Sequence, residues 1–154
     1  TCFGNESGWG QMINQAGGHN VIESDMQVED SDYADAEAVI NSNPDVVIKT
    51  VYRDQKDGIM ADNYLPPEEA DYIFAKEEMK AREGFSKMKA IEDDNIIMCS
   101  DFCLRGGGNT VGLAFFAKWL HPDLFEDFDA YEIFDQWMTE FQNMDAIEGH
   151  VYEG

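Results

Sequence analysis

The sequence predicts an α/β fold, and two stretches carry that prediction. Residues 35–50 contain a short helical pattern, a break at Asn43-Pro44-Asp45 and the run Val46-Val47-Ile48. The helix must stop at the break because proline cannot continue a helix and holds the preceding residue extended. The β-branched run that follows is typical of a strand covered on both faces. A second apolar run, Ile96 to Cys99, indicates another covered strand.

The other elements follow in chain order from caps and helical spacing. Asn5 or Ser7 can cap a first helix, which ends at Gly17-Gly18, and Pro66-Pro67 followed by acids is a strong helix start. Because two strands are few for a sheet, we expect a further strand upstream of Thr1 or near residues 20–23. The expected helices span about residues 8–16, 33–41, 66–82, 110–120 and 131–144, the expected strands about 46–50 and 96–99, and the inward positions include Tyr72, Ile73, Met79, Ile133, Phe134, Trp137, Met138 and Phe141.

The composition restricts the class of protein. A net charge of −22, from 32 acidic and 10 basic residues, argues against nucleic acid or an anionic membrane surface as partner. The acids are scattered rather than spaced as calcium ligands, so a solvated, highly soluble surface is the simpler interpretation. The 154 residues suit one domain and contain no apolar run approaching the ~20 residues of a membrane span. The sequence begins at Thr1 without a visible signal peptide, so we expect a processed or excised piece.

No motif indicates catalysis, a metal or a nucleotide. The chain lacks GxSxG and HExxH, so we predict no enzymatic activity, and its three histidines are too dispersed for a metal site. The loop Arg105-Gly106-Gly107-Gly108 lacks nucleotide-binding spacing and instead favours close backbone approach or loop motion. Cys99 and Cys103 either close a small disulfide, which leaves Cys2 odd, or remain unpaired thiols.

Aromatic and basic residues follow both predicted strands. In open α/β sheets, ligands bind in the crevice beyond the carboxyl ends of the strands. Two arginines and several aromatics in an anionic chain suit a planar, negatively charged ligand, although ordinary surface ion pairs would account for each arginine singly. The candidate ligand contacts are Tyr52 and Arg53 after the first strand, Asp101, Phe102 and Arg105 after the second, and Trp9 and Tyr33 in loops that could join them.

Five segments of the chain form a familiar series: residues 11–21 (QMINQAGGHNV), 37–48 (EAVINSNPDVVI), 82–91 (REGFSKMKAI), 94–98 (DNIIM) and 110–125 (TVGLAFFAKWLHPDLF). In this order they resemble the carboxyl-terminal lobe of the cobalamin and iron-chelate solute-binding proteins of ABC importers (the TroA/BtuF-type family). The resemblance covers nearly the whole chain. Each motif is modest alone, and their order and spacing together are specific.

The resemblance implies a three-layer α/β/α lobe with a short, mostly parallel sheet, one half of a bilobal binding protein. Residues 1–154 would form the carboxyl-terminal lobe, without the amino-terminal lobe and the linker helix. The ligand would be a siderophore, haem or cobalamin, with no resident cofactor and no chemistry on the ligand.

The partners that the resemblance implies are an ABC permease and its ATPase, in an extracytoplasmic setting. Membrane association would occur only through that permease or a lipid anchor. The position of Glu37 matches the acid that docks onto the permease; alternatively, it is one more solvated carboxylate. The alternative function is a cell-surface interaction or structural module that reuses the lobe without transport, and a small enzyme comes third.

Overall fold

The computed structural model describes residues 2–22, 31–52, 65–100 and 108–152. The strands within these ranges are β1 (Cys2–Phe3), β2 (Ser31–Asp32), β3 (Val47–Thr50), β4 (Ile96–Cys99) and β5 (Val151–Tyr152). One sheet has the strand order β3-β4-β5, and a separate two-stranded sheet pairs β1 with β2. β3 and β4 are parallel, whereas β4 and β5 are antiparallel, so the described three-stranded sheet is mixed rather than mostly parallel.

The described helices agree closely with the helical patterns of the sequence. Ser7 caps the first helix by accepting a hydrogen bond from the Gly10 amide, and Gly17 follows it with φ 80°. The third begins after Pro66-Pro67 rather than at them. The helices are α1 (Gly8–Gln15), α2 (Ala36–Ser42), α3 (Glu69–Lys80), α4 (Lys89–Glu92), α5 (Asn109–Leu120) and α6 (Ala130–Gln136), with 3-10 turns at Phe85–Lys87 and Pro122–Leu124 and a π-helix at Trp137–Gln142.

Helices cover both faces of the sheet, which confirms the three-layer α/β/α prediction. Successive strand residues point to opposite faces, so Met98 faces one core and Cys99 the other. The first core packs α1, α5 and α6 against the sheet, with aromatic contacts such as Trp9–Phe116 (ring centroids 5.8 Å apart). The second core holds α3 and α4, and Val39 and Ile40 of α2 pack against it.

β3 is covered on both faces, as predicted, since Ile48 packs against the first core and Val47 against the second. All of its residues are half-buried, whereas Ile96, Met98 and Cys99 of β4 are buried. β3 lies at the edge of the described sheet and β4 lies at its centre. A β-branched run therefore identifies the strand correctly but does not distinguish an edge strand from a central one.

The third strand, β5, was not predicted. Residues 20–22 form no strand: the Asn20 side chain donates to the Phe3 carbonyl at 2.8 Å, and Val21 and Ile22 are helical. β5 contains only Val151 and Tyr152. A two-residue strand is too short to show an alternating pattern.

Two positions predicted to face inward are exposed. Ile73 is 46% exposed because Tyr72, Ala75 and Met79 form the inward stripe of α3, and Ile73 lies about 100° away from Tyr72 around the helix axis. Phe141 is 72% exposed. It lies in the π-helix, whose wider turn shifts the inward stripe off the α-helical spacing set by Phe134 and Met138.

The start of α1 packs tightly against the loop before it. The Ser7 hydroxyl donates to the Gly4 carbonyl at 2.5 Å and accepts from the Gly10 amide at 3.0 Å. A Cβ atom at Gly10 would overlap the Gly4 carbonyl oxygen and the Asn5 Cα, both of which are backbone atoms. Gly8, one residue into the same helix, has open space around it.

We expect Gly10→Ala to lower the free energy of unfolding by about 1–3 kcal/mol, because the backbone must shift to admit the methyl group. Gly8→Ala is the matched control and should leave stability unchanged or raise it by up to about 1 kcal/mol. Urea unfolding followed by circular dichroism measures both. Equal effects of the two substitutions would show that the close approach at Gly10 is not a constraint.

Candidate functional site

The two parallel strands end side by side at one edge of the sheet. β3 ends at Thr50 and β4 at Cys99, and these two residues are paired in the register. The Val51 amide donates to the Cys99 carbonyl at 2.9 Å, which extends the pairing by one residue. We call residues 50–52 and 99–100 the crevice edge. The loops 53–64 and 101–107 that continue from it lie outside the described residues.

Each strand of the crevice edge is followed in the chain by a helix. α5 follows β4, and its first turn contains no acidic residue and exposes Asn109 and Thr110. α3 follows β3, and in its first turn the Tyr72 hydroxyl donates to the Gly149 carbonyl, next to His150, at 2.9 Å. The amino terminus of a helix carries partial positive charge. In a strongly acidic chain, the start of α5 therefore favours an anionic group.

A buried pair, Ser100 and His150, lies at the end of β4. The Ser100 amide donates to the His150 carbonyl at 2.7 Å, and the Ser100 Oγ lies 2.6 Å from His150 Nδ1. The His150 ring also packs edge-on against Phe134 of α6, with centroids 6.0 Å apart. Burial lowers the pKa of His150 to about 4. Sequence reasoning missed this pair because the two residues are far apart in the chain and belong to no motif.

The structure places the predicted ligand contacts in different settings. Tyr52 is half-buried and lies at the crevice edge directly after the fully buried Val51. Tyr33 is 85% exposed and lies between β2 and α2, not directly after β3 or β4. The predictions for Arg53, Phe102 and Arg105 fall outside the described residues.

Trp9 was predicted as a loop residue that contacts ligand, but it lies in the first turn of α1. Its side chain is 4% exposed and packs between Phe3 and Phe116. The glycine-rich, polar stretch before it suggested a loop, but the helix predicted from about residue 8 is what forms: Ser7 caps α1, and the Trp9 ring points into the first core. We therefore assign Trp9 to the first core.

Lys49 is a cation that sequence reasoning did not single out. Its ammonium donates to the Thr50 carbonyl at 2.6 Å, at the start of the crevice edge. Burial, followed by the charge of Arg82, lowers the pKa of Lys49. The sequence feature that could have identified Lys49 is its position directly after the apolar run Val46 to Ile48.

Glu37 is exposed, in the first turn of α2. Asp35 caps this helix by accepting a hydrogen bond from the Ala38 amide at 3.0 Å. Val39 and Ile40 of the same helix pack against the second core. Glu37 is therefore turned away from the apolar side of its helix. A docking role for Glu37 stays a prediction.

Within the described ranges, no three His, Cys, Asp or Glu side chains come close enough together to hold a metal ion. Cys2 is half-buried and forms no disulfide. Cys99 is buried at the end of β4, and Cys103 lies outside the described residues, so the two alternatives for this pair stay open. None of the described helices combines the length and apolarity needed to cross a membrane.

A family model described as "Periplasmic binding protein" matches residues 1–101. The chain belongs to this family of periplasmic binding proteins. No protein with a curated description matches it.

Two solved structures share the fold of this periplasmic binding protein. One is described as the TroA-like periplasmic binding protein FepB from Veillonella parvula, with 20% identity and a TM-score of 0.81; the match covers 97% of this chain and 43% of that one. The other is a periplasmic solute binding protein from Veillonella parvula DSM 2008, with 16% identity and a TM-score of 0.67; that match covers 96% of this chain and 41% of the other. The chain thus spans less than half the length of either structure.

The buried His150 should make the stability of this binding protein depend on pH. The folded protein keeps His150 neutral down to about pH 4, whereas the unfolded chain takes up a proton near pH 6.5. The contribution is therefore complete above pH 6.5 and is lost as the pH falls from 6.5 towards 4. Between pH 7 and pH 5 we expect the wild type to lose about 1–2 kcal/mol more than His150→Asn, which has no titrating ring.

Urea unfolding of both proteins at a series of pH values measures this difference, and the acidic side chains affect both proteins alike. Parallel stability curves for the wild type and His150→Asn would show that His150 is not kept neutral by the fold.

Proposed function

We propose that this chain is the carboxyl-terminal lobe of a solute-binding protein that serves an ABC importer. The observation that carries the proposal is the crevice edge, where two parallel strands end side by side in a chain of the periplasmic binding protein family. Strand ends of this kind are where open α/β sheets bind ligands. The lengths of the two structural neighbours leave room for a second lobe, which would close the crevice from the other side.

We further propose that the ligand is an iron chelate (a siderophore or haem) or cobalamin. Tyr52 offers an aromatic surface at the crevice edge, and the start of α5 offers partial positive charge without competing acids. Arg53 and Arg105 follow the same two strands in the sequence and would add charge-assisted hydrogen bonds to an anionic chelate. The protein would work outside the cytoplasm and release its ligand unchanged to the permease.

Closure of two lobes is a hinge motion, so the affinity belongs to the complete protein. We expect the complete gene product that carries this chain to bind at least one of three probes: haemin, a ferric tris-hydroxamate chelate or cobalamin. Tryptophan fluorescence follows binding because Trp119 and Trp137 are half-buried reporters in this lobe. Calorimetric titration then gives the affinity.

The isolated chain is the control and should bind the same probe far more weakly. If the complete gene product binds none of the three probes, the proposal that it serves the transport of this ligand class is wrong. The cell-surface interaction module then becomes the better account of the lobe.

Docking to the permease is the second part of the proposal, and Glu37 is the residue that we assign to it. It is exposed on a short capped helix whose other side is anchored in the second core. We expect Glu37→Ala to lower ligand uptake by reconstituted transporter about tenfold, because a permease cation loses its partner. Ligand affinity should not change, since α2 precedes β3 and lies away from its carboxyl end.

Glu132→Ala is the matched control, because Glu132 is also an exposed acid in the first turn of a short helix, α6. This variant should support uptake at the wild-type rate. A loss of ligand affinity in Glu37→Ala, or equal loss of uptake in both variants, would refute the docking role.

A further inference from the structure

The Ser100–His150 pair connects the end of β4 to the carboxyl-terminal strand by two bonds. One is the backbone hydrogen bond from the Ser100 amide to the His150 carbonyl (2.7 Å). The other joins the Ser100 Oγ to His150 Nδ1 (2.6 Å). Ser100 is 5% and His150 1% exposed. Inside a protein, such buried polar contacts are strong and hold one specific geometry.

The segment that carries His150 is itself fixed from both helical layers. Tyr72 of α3 donates to the neighbouring Gly149 carbonyl, and the Tyr72 ring stacks on Tyr152 with centroids 5.2 Å apart. On the other side, Phe134 of α6 packs against the His150 ring. His150 therefore belongs to a segment that both helical layers hold in place. Through its bonds to Ser100, this segment also fixes the position of Ser100.

Ser100 directly follows the last residue of β4, Cys99, and belongs to the crevice edge. We infer that His150 is a positioning residue: by fixing Ser100 it sets the direction in which the chain leaves β4, and so sets ligand affinity without contacting the ligand. This inference rests on the proposed function. Binding sites need their contacts held within about 0.5 Å, which requires supporting residues of this kind.

The test uses the complete gene product, with haemin, a ferric tris-hydroxamate chelate and cobalamin as probes. Ser100→Ala and His150→Leu each remove the side-chain bond, and we expect each to weaken binding about tenfold, as loss of a supporting residue does elsewhere. His150→Asn keeps a hydrogen-bonding group near the position of Nδ1 and should restore most of the affinity.

The matched control is His121→Leu. The His121 Nε2 lies 2.9 Å from the Ala16 carbonyl, so this variant also removes a histidine hydrogen bond, but at the carboxyl end of α5, away from the crevice edge. Its affinity should stay within about twofold of the wild type. Urea unfolding of every variant separates loss of affinity from loss of stability.

The outcomes distinguish failure of the positioning role from failure of the proposed function. If His121→Leu weakens binding as much as Ser100→Ala, the pair acts only through stability and the inference is wrong. If Ser100→Ala binds like the wild type, the inference fails while the proposed function stands, and this variant also decides the question if His150→Leu does not fold. If the wild type binds none of the three probes, the proposed function is wrong and the inference is wrong with it.

Discussion

The parallel pairing of β3 with β4 is the constraint on which the rest of the lobe depends. Its register joins Val47 to Ile96 and Thr50 to Cys99, so both strands end at one edge. A parallel pair needs a long crossover, and here the connection passes through α3 and α4 on one face of the sheet. Two apolar faces result, and each requires its own helical layer. The two separate cores and the crevice edge are consequences of this one pairing.

The short unit formed by α2 and β3 connects two surfaces of the lobe. α2 exposes Glu37 and packs against the second core, while β3 carries the chain to Tyr52 at the crevice edge. Asn43, with φ 43°, makes the left-handed turn between them, and its side chain accepts from the Lys89 amide at 2.8 Å. If the proposed function is correct, this one unit links Glu37, which docks onto the permease, to Tyr52, which lies at the ligand-binding edge.

Much of this arrangement could be predicted from local patterns. Pro44 predicts the end of α2, Ser7 predicts the cap of α1, and the two apolar runs predict β3 and β4, because each signal lies within a few residues. β5 and the Ser100–His150 pair could not be predicted, since they depend on contacts between residues about 50 positions apart. The burial of Trp9 could not be predicted either. The sequence before it has the composition of a loop, and its ring is buried only because α1 packs against α5.

If ligand binds at the crevice edge, a paramagnetic ligand will broaden the amide signals of that edge more than those of the rest of the chain. A bound ferric tris-hydroxamate chelate or haemin broadens nearby signals, while the gallium counterpart leaves them sharp. We expect the strongest broadening at Thr50, Tyr52 and Ser100. Broadening should be much weaker at Val47 and Ile96, which lie about 10 Å away along the same strands. Strongest broadening at Val47 and Ile96, or on the outer face of α6, would contradict it.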